Sequence, residues 1–192
     1  MTLGTICGYK WPPSTSIDPH LKIQIHTTEE DHRIALLAAL AITIHVAESA
    51  LPSPIPGLKP GLANIVTIVC LCHWGWRTAA WVSGLRVLVG SILLGTFLSP
   101  TFLLSLSGAV ASLIVLGLAT RLPGQGFGPV GYSLIAAMAH MTAQFYVAYV
   151  LFIPHQAIWY LLPVLMTMAV IFGITSGIMA KAVLERFNKI SP

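Results

Sequence analysis

The stretch Thr78–Ala119, TAAWVSGLRVLVGSILLGTFLSPTFLLSLSGAVASLIVLGLA, consists of two long apolar runs that meet at Ser99 and Pro100. Each run, 78–98 and 101–119, approaches the roughly 20 residues that a helix needs to cross the hydrocarbon core of a bilayer. The stretch contains a single charged residue, Arg86, and it lies inside the first run. The pattern therefore predicts two membrane-spanning helices with a short connection between them.

The rest of the chain has the same character. Of its 192 residues, 56% are hydrophobic and only 8% are charged, whereas water-soluble domains carry about 25% charged residues. Further apolar runs bring the predicted number of spanning helices to six, and the second of the six is short for a bilayer. These runs cover residues 33–51, 61–76, 130–153 and 157–180. We predict an all-α membrane protein with a single six-helix domain.

The distribution of Lys and Arg predicts the orientation of the chain, because these residues collect in cytoplasmic loops. Six spans place both termini on one side, and that side carries Lys10, Lys22, Arg33, Arg77, Arg121, Lys181, Arg186 and Lys189. The opposite side carries Lys59 alone. We therefore predict cytoplasmic tails at 1–32 and 182–192 around a transmembrane domain at 33–181. The proline-rich connector LPSPIPGLKPGLAN, residues 51–64, then faces outward.

Apart from Arg33 at the cytoplasmic end of the first run, two charged residues lie within the predicted spans, Glu48 in the first and Arg86 in the third. A charge in hydrocarbon costs about 2.5–3.5 kcal/mol on insertion scales, so such residues are functional candidates. One interpretation is a structural ion pair that locks two helices together. The other makes Arg86 the group that binds the anionic part of a solute, which a bidentate guanidinium suits. Both interpretations remain open on the sequence.

Other polar residues extend the candidate site. His140 and Gln144 stand four residues apart on one helical face of the fifth span, either as ligand-binding groups or as partners in a structural hydrogen bond. Asn64 opens the second span, where its amide could cap the helix or bind a solute. Ser105 and Ser107 either face the site or hydrogen-bond to the preceding turn of their own helix.

Pairs of small residues at four-residue spacing predict where helices pack closely in lipid. They are Ala35 and Ala39 in the first span, Gly108 and Ser112 in the fourth, and Gly173 and Gly177 in the sixth. We interpret each pair as a helix-packing face.

Several classes of chemistry find no support in the sequence. Cys70, Cys72 and His73 are potential metal ligands, but the two cysteines point to different sides of a helix and no second cluster completes a site. The spans contain no pair of carboxylates and no nucleophile elbow. Nor does the chain contain a Gly-rich phosphate loop or a basic run interleaved with aromatic residues. We expect neither catalysis, nor a metal or cofactor, nor nucleic-acid binding.

Three stretches carry a family resemblance: IPGLKPGLANIVTI at 55–68, GLRVLVGSILLGTFLSPTFLLSLSGAVASL at 84–113 and GPVGYSLIAAMAHMTAQFYVA at 128–148. Together they resemble the Gx transporter family, also called heptaprenyl diphosphate synthase component I, over about residues 33–180. That family is similar to the six-helix substrate-binding S components of energy-coupling-factor transporters. The resemblance implies an S-component-like bundle in the cytoplasmic membrane of a prokaryotic cell.

The resemblance also implies which residues serve the function. They are Gly57, Leu58, Lys59, Gly61, Asn64, Arg86, Ser105, Ser107, His140 and Gln144, with Glu48 converging on the same pocket. It implies a lid formed by the connector after the first span, and a coupling membrane subunit packed on Ala35 and Ala39. The chain departs from the family at Met141 and Ala143, where Asn and Gly are usual, and at Pro60.

Three functions remain as hypotheses. In the first, the protein is the S-component-type binding subunit of a small-solute uptake transporter, driven by a separate ATPase. In the second, it is an accessory membrane subunit of a polyprenyl diphosphate synthase and handles the prenyl chain. The third is a scaffold held together by its buried charges. The expected ligand is a small anionic or isoprenoid-linked molecule, and proton coupling through His140 and Glu48 stays open.

Overall fold

Helices account for nearly all of the described chain. The computed structural model describes residues 28–50, 62–121 and 127–190. Within these ranges there are six α-helices, one 3-10 helix and no strand. The helices are α1 (Glu29–Ala50), α2 (Leu62–Trp74), α3 (Trp76–Leu93), α4 (Pro100–Ala119), α5 (Pro129–Leu151) and α6 (Leu162–Ile190), with the 3-10 helix at Gln156–Leu161. The all-α prediction is confirmed, and α6 extends through most of the predicted C-terminal tail.

Local sequence signals set the helix ends. At the start of α1 the Thr28 backbone N–H donates to Asp31 Oδ2 at 2.9 Å, and the Asp31 N–H donates to Thr28 Oγ1 at 3.3 Å. This is a reciprocal capping box. Ser99 caps α4 by accepting from the Phe102 N–H at 3.3 Å, ahead of Pro100 in the first helical position. Gly75 separates α2 from α3 with φ of 92°, a conformation that glycine adopts without strain.

Four of the helical segments are long and apolar enough to cross a membrane. They are α1, α4, α5 and the continuous segment Gln156–Phe187, which combines the 3-10 helix with α6. The chain is therefore a multi-pass membrane protein. Helix α2 has only 13 residues and spans about 20 Å at 1.5 Å per residue, which is short for a bilayer, as its sequence predicts. Helix α3 has 18 residues and includes both Arg77 and Arg86.

Small residues bring α4, α5 and α6 into close contact. A Cβ added at Gly177 would lie 2.6 Å from the Val130 Cα, and one at Gly173 would lie 3.1 Å from the Leu134 Cα. Ser112 on α4 donates to the Ala136 carbonyl on α5 at 3.0 Å. The packing faces predicted for the fourth and sixth spans are therefore present.

The predicted small-residue face of the first span is placed differently. Ala35 and Ala39 are exposed, whereas Ala38 and Ala41 on the same helix are buried. Helix α1 therefore packs into the bundle through Ala38 and Ala41, and the Ala35/Ala39 face is not covered by the other described helices.

The two ends of the bundle differ in charge. The Arg33 guanidinium lies over the Trp74 ring at 5.8 Å, and the Trp74 ring contacts the Phe187 ring at 6.5 Å between centroids. These contacts bring the start of α1, the end of α2 and the end of α6 together. Six basic residues belong to this end, here called the basic end: Arg33, Arg77, Arg121, Lys181, Arg186 and Lys189. The opposite end is formed by the end of α1 and the starts of α2 and α4.

The contact between α5 and α6 can be tested at Gly177. Gly177→Ala should lower the free energy of unfolding by about 1–3 kcal/mol, because its methyl group would overlap the Val130 backbone. Gly84→Ala is the matched control, since an added Cβ there has nothing within 4 Å, and it should leave stability unchanged or raise it. The measurement is the unfolding midpoint in mild detergent. Equal effects of the two substitutions would contradict this packing.

Candidate functional site

A cavity of about 240 Å³ lies inside the bundle, toward the end opposite the basic end. All six helices contribute to its wall. Eleven of the twenty wall residues are polar: His45, Glu48, Asn64, Arg86, Ser91, Thr96, Thr101, Ser105, His140, Gln144 and Ser176. The remaining surface is apolar and includes Phe102, Met141 and Phe172. An apolar surface with a limited set of converging polar groups is typical of small-molecule sites.

The size of the cavity fits a small molecule. A cavity of about 150 Å³ is large enough for benzene, so the observed 240 Å³ accommodates something larger than one aromatic ring. Water could also occupy it, because several polar groups line the wall. In size and in wall chemistry the cavity suits a small polar or amphipathic compound.

The two charged residues predicted within the spans meet at this cavity. Arg86 on α3 is 8% exposed and Glu48 near the end of α1 is 4% exposed, and both line the cavity. Glu48 lies within electrostatic range of Arg86. Among the described residues, the charged atoms of Lys181 and Glu185 on the surface lie within 4.0 Å of each other, whereas those of Arg86 and Glu48 do not. Arg86 and Glu48 therefore face one cavity without a direct contact between their charged atoms.

His140 and Gln144 form a hydrogen-bonded pair on the α5 side of the cavity. Gln144 Nε2 lies 2.9 Å from His140 Nε2. An amide nitrogen can only donate, so His140 Nε2 is the acceptor and carries no proton. The ring proton of the neutral imidazole is then on Nδ1.

Gly108 on α4 makes room for this ring. A Cβ at position 108 would lie 2.6 Å from both Cε1 and Nε2 of His140 and 2.7 Å from Nδ1. Real Cβ atoms do not approach ring atoms this closely, and a planar ring cannot bend aside. The pairing of Gly108 with His140 therefore fixes the ring against α4 as well as against Gln144.

The structure brings most of the sequence-predicted site residues together. Asn64, the third residue of α2, and Ser105 on α4 both line the cavity. Ser107 is not among the wall residues, and its hydroxyl donates to the Leu104 carbonyl at 2.9 Å, which matches the structural interpretation. Ala35 and Ala39 lie on the outer face of α1. Four predicted residues lie outside the described residues: Gly57, Leu58, Lys59 and Gly61.

Several residues of the cavity wall were not predicted from the sequence to belong to the site. His45 precedes Glu48 by three positions, and this spacing could have placed both on one face of α1. Its ring packs on α3, where a Cβ at Gly90 would lie 2.9 Å from His45 Cδ2. Ser176 and Thr101 carry no comparable signal, because single hydroxyl groups are common in apolar helices and usually bond to their own backbone.

The two described cysteines, Cys70 and Cys72, are not among the residues of the cavity wall. Cys70 is buried and Cys72 is exposed, so the two point to different sides of α2, as their spacing predicts. The described residues contain no group of three or more His, Cys, Asp or Glu side chains able to hold a metal ion.

The fold and the cavity define a class: a multi-pass helical membrane protein with a partly open cavity of mixed polar and apolar wall among its helices. The chain belongs to the heptaprenyl diphosphate synthase component I family, whose family model matches residues 37–183. The match covers α2, α3, α4 and α5 completely and most of α1 and α6. No curated protein and no solved structure matches the chain at a significant level.

Hydration of the cavity can be tested with a cysteine scan on α4. Ser105→Cys should react with a small, water-soluble methanethiosulfonate reagent, because position 105 lines the cavity. Val110→Cys, which is 48% exposed on the outside of the bundle, should react poorly, because a thiol facing detergent or lipid forms little thiolate. The readout is the mass of the labelled protein, with Cys7, Cys70 and Cys72 replaced in both variants. Failure of Ser105→Cys to react faster would contradict a hydrated cavity.

Proposed function

We propose that the protein is the substrate-binding membrane subunit of a small-solute uptake transporter, of the S-component type. The observation that carries this proposal is the cavity of about 240 Å³ with buried Arg86 and half-buried His140 and Gln144 in its wall. A scaffold would gain more stability from a fully packed interior, since cavities are destabilising. A retained cavity with charged and amide groups is better explained by a ligand that occupies it.

In this proposal all six helices cross the membrane and the basic end is cytoplasmic. The six Lys and Arg residues of the basic end support it through the positive-inside rule. Both termini are then cytoplasmic, and the cavity lies toward the outer surface. Aromatic residues at the cavity end, with Trp159 packed on Phe145 and Tyr149, suit a position at the outer membrane interface.

The connector at 51–61 is the proposed cover of the cavity. The helices that it joins reach the cavity wall within a turn of its ends, through Glu48 on α1 and Asn64 on α2. Lys59 within the connector would add a second cation near the ligand. The four prolines of the connector restrict its backbone and lower the conformational entropy that it would lose on closing over the cavity.

Uptake also requires an energy source and a coupling subunit. The chain has no Gly-rich phosphate loop, so we propose that a separate ATPase supplies the energy. The exposed Ala35/Ala39 face on α1 is the proposed contact with a coupling membrane subunit, because small residues allow helix backbones to approach closely in lipid. Exposed leucines on the same face, Leu36 at 73% and Leu40 at 52%, would add apolar contact area.

An accessory role in polyprenyl diphosphate synthesis is the second candidate. The family description favours it, and so does a second cavity of about 260 Å³ on the outside of α3 and α4. That cavity is bordered by Trp76, Ile114, Leu118 and Arg121, and its exposed apolar side chains could follow a prenyl chain while Arg121 meets an anionic end. The buried cavity does not serve this role, because its polar groups lie where an apolar chain would have to pass.

The first candidate is tested by native mass spectrometry of the gently purified protein. A small solute should co-purify with the wild type, and Arg86→Met should remove it while the unfolding midpoint stays within a few degrees. Arg77→Met is the matched control, because Arg77 is exposed at the basic end, and it should retain the solute. A retained solute in Arg86→Met would contradict the proposal.

Two further results of the same experiment would replace the proposal. Unfolding of Arg86→Met that is rescued by the double substitution Glu48→Gln and Arg86→Met would assign the charges a structural role. Co-purification of a polyprenyl diphosphate or of a prenyl synthase with the wild type would favour the second candidate.

A further inference from the structure

The hydrogen bond between Gln144 and His140 determines which groups Gln144 offers to a ligand. Its Nε2 donates to His140 Nε2 at 2.9 Å, which directs the amide nitrogen toward the ring. The Oε1 atom on the other side of the amide remains available as an acceptor. Because Gln144 lines the cavity, this carbonyl oxygen can accept a hydrogen bond from a donor on a ligand.

Arg86 offers the complementary chemistry. Its guanidinium carries five N–H donors and no acceptor. In the described part of the chain no oxygen accepts a hydrogen bond from it, although the side chain is 8% exposed. It lies within electrostatic range of the His140 ring, so Arg86 and the His140–Gln144 pair belong to one cluster. An acceptor on the ligand, most favourably an anionic one, would satisfy these donors.

The charges in the wall limit the charge of the ligand. Arg86 and Glu48 are the charged side chains among the described wall residues, and their formal charges cancel. One negative charge on a ligand can be held by the guanidinium at short range. A diphosphate carries at least two negative charges, more than Arg86, the cation of the described wall, can neutralise beside the Glu48 carboxylate.

From this arrangement, and resting on the proposed function, we propose that the cavity selects a singly charged organic acid with a hydrogen-bond donor beside its carboxylate. The carboxylate binds Arg86 and the donor binds Gln144 Oε1. His140 is a positioning residue: held against Gly108, it fixes the orientation of the Gln144 amide and does not itself contact the ligand.

Two nearly isosteric acids test the donor. Pyrrole-2-carboxylate carries a ring N–H beside its carboxylate, and furan-2-carboxylate has an acceptor oxygen at that position. Ligand-observed NMR with the full-length protein in detergent should show pyrrole-2-carboxylate binding roughly tenfold more tightly than furan-2-carboxylate. The reason is that furan-2-carboxylate replaces the hydrogen bond to Gln144 Oε1 by two acceptor oxygens that face each other. Pyrrole without the carboxylate and inorganic pyrophosphate should both bind at least about tenfold more weakly than the preferred acid.

The ratio of the two affinities separates positioning from general stability. His140→Ala and Gly108→Ala should both lower the ratio of the two affinities to about 1, while Arg86-dependent binding of the two acids persists. Gly84→Ala, where an added Cβ meets nothing within 4 Å, should keep the full preference. A merely structural role of His140 would weaken both acids equally and leave the ratio unchanged, which would overturn the positioning role.

Failure of this inference can be told apart from failure of the proposed function. Equal binding of the two acids by the wild type, abolished by Arg86→Met, would overturn the donor requirement and leave the binding site standing. Binding of neither acid, or binding that survives Arg86→Met, would overturn the inference and count against the cavity as an anion site. Preferential binding of pyrophosphate would overturn the inference in favour of the prenyl candidate.

Discussion

The desolvation of Arg86 is the constraint on which the polar interior depends. A guanidinium removed from water loses several kcal/mol of hydration free energy unless other groups replace the water. Here Glu48 on α1 supplies the opposite charge within electrostatic range. Polar groups from the other helices surround the same space, and the cavity can admit water or a ligand to the guanidinium. The cavity thus gives the buried guanidinium the polar surroundings that it needs, and the guanidinium in turn favours an open polar space over a packed apolar one.

The second constraint is the close approach of α4 to α5. The His140 ring occupies the space where any other residue at position 108 would carry a Cβ. Because the ring is fixed, Gln144 is fixed too, and the polar wall of the cavity keeps a defined donor and acceptor pattern. Ser112 adds a hydrogen bond between the same two helices. Tight packing on one side of α5 therefore supports the open space on its other side.

The sequence predicts the helices well because their apolar length is a strong signal. It also places Asn64, Arg86, Ser105, His140 and Gln144 at the site, since polar residues in long apolar runs are few and conspicuous. The sequence does not reveal the contact between Gly108 and His140, because this contact depends on the distance between two helix backbones. Nor does it separate Ser105 from Ser107, because the rotation of α4 decides which hydroxyl faces the cavity. The face of α1 was likewise set by tertiary packing, which buries Ala38 and Ala41 rather than Ala35 and Ala39.

The central claim is that the buried cavity holds a small ligand on Arg86. A density map of the protein purified with its native lipids, at a resolution that shows side chains, tests this claim most directly. The account predicts compact non-protein density inside the cavity, within hydrogen-bonding distance of the Arg86 guanidinium and the Gln144 carbonyl. An elongated density along the outside of α3 and α4 near Arg121, with the cavity closed by a direct contact between Arg86 and Glu48, would contradict it.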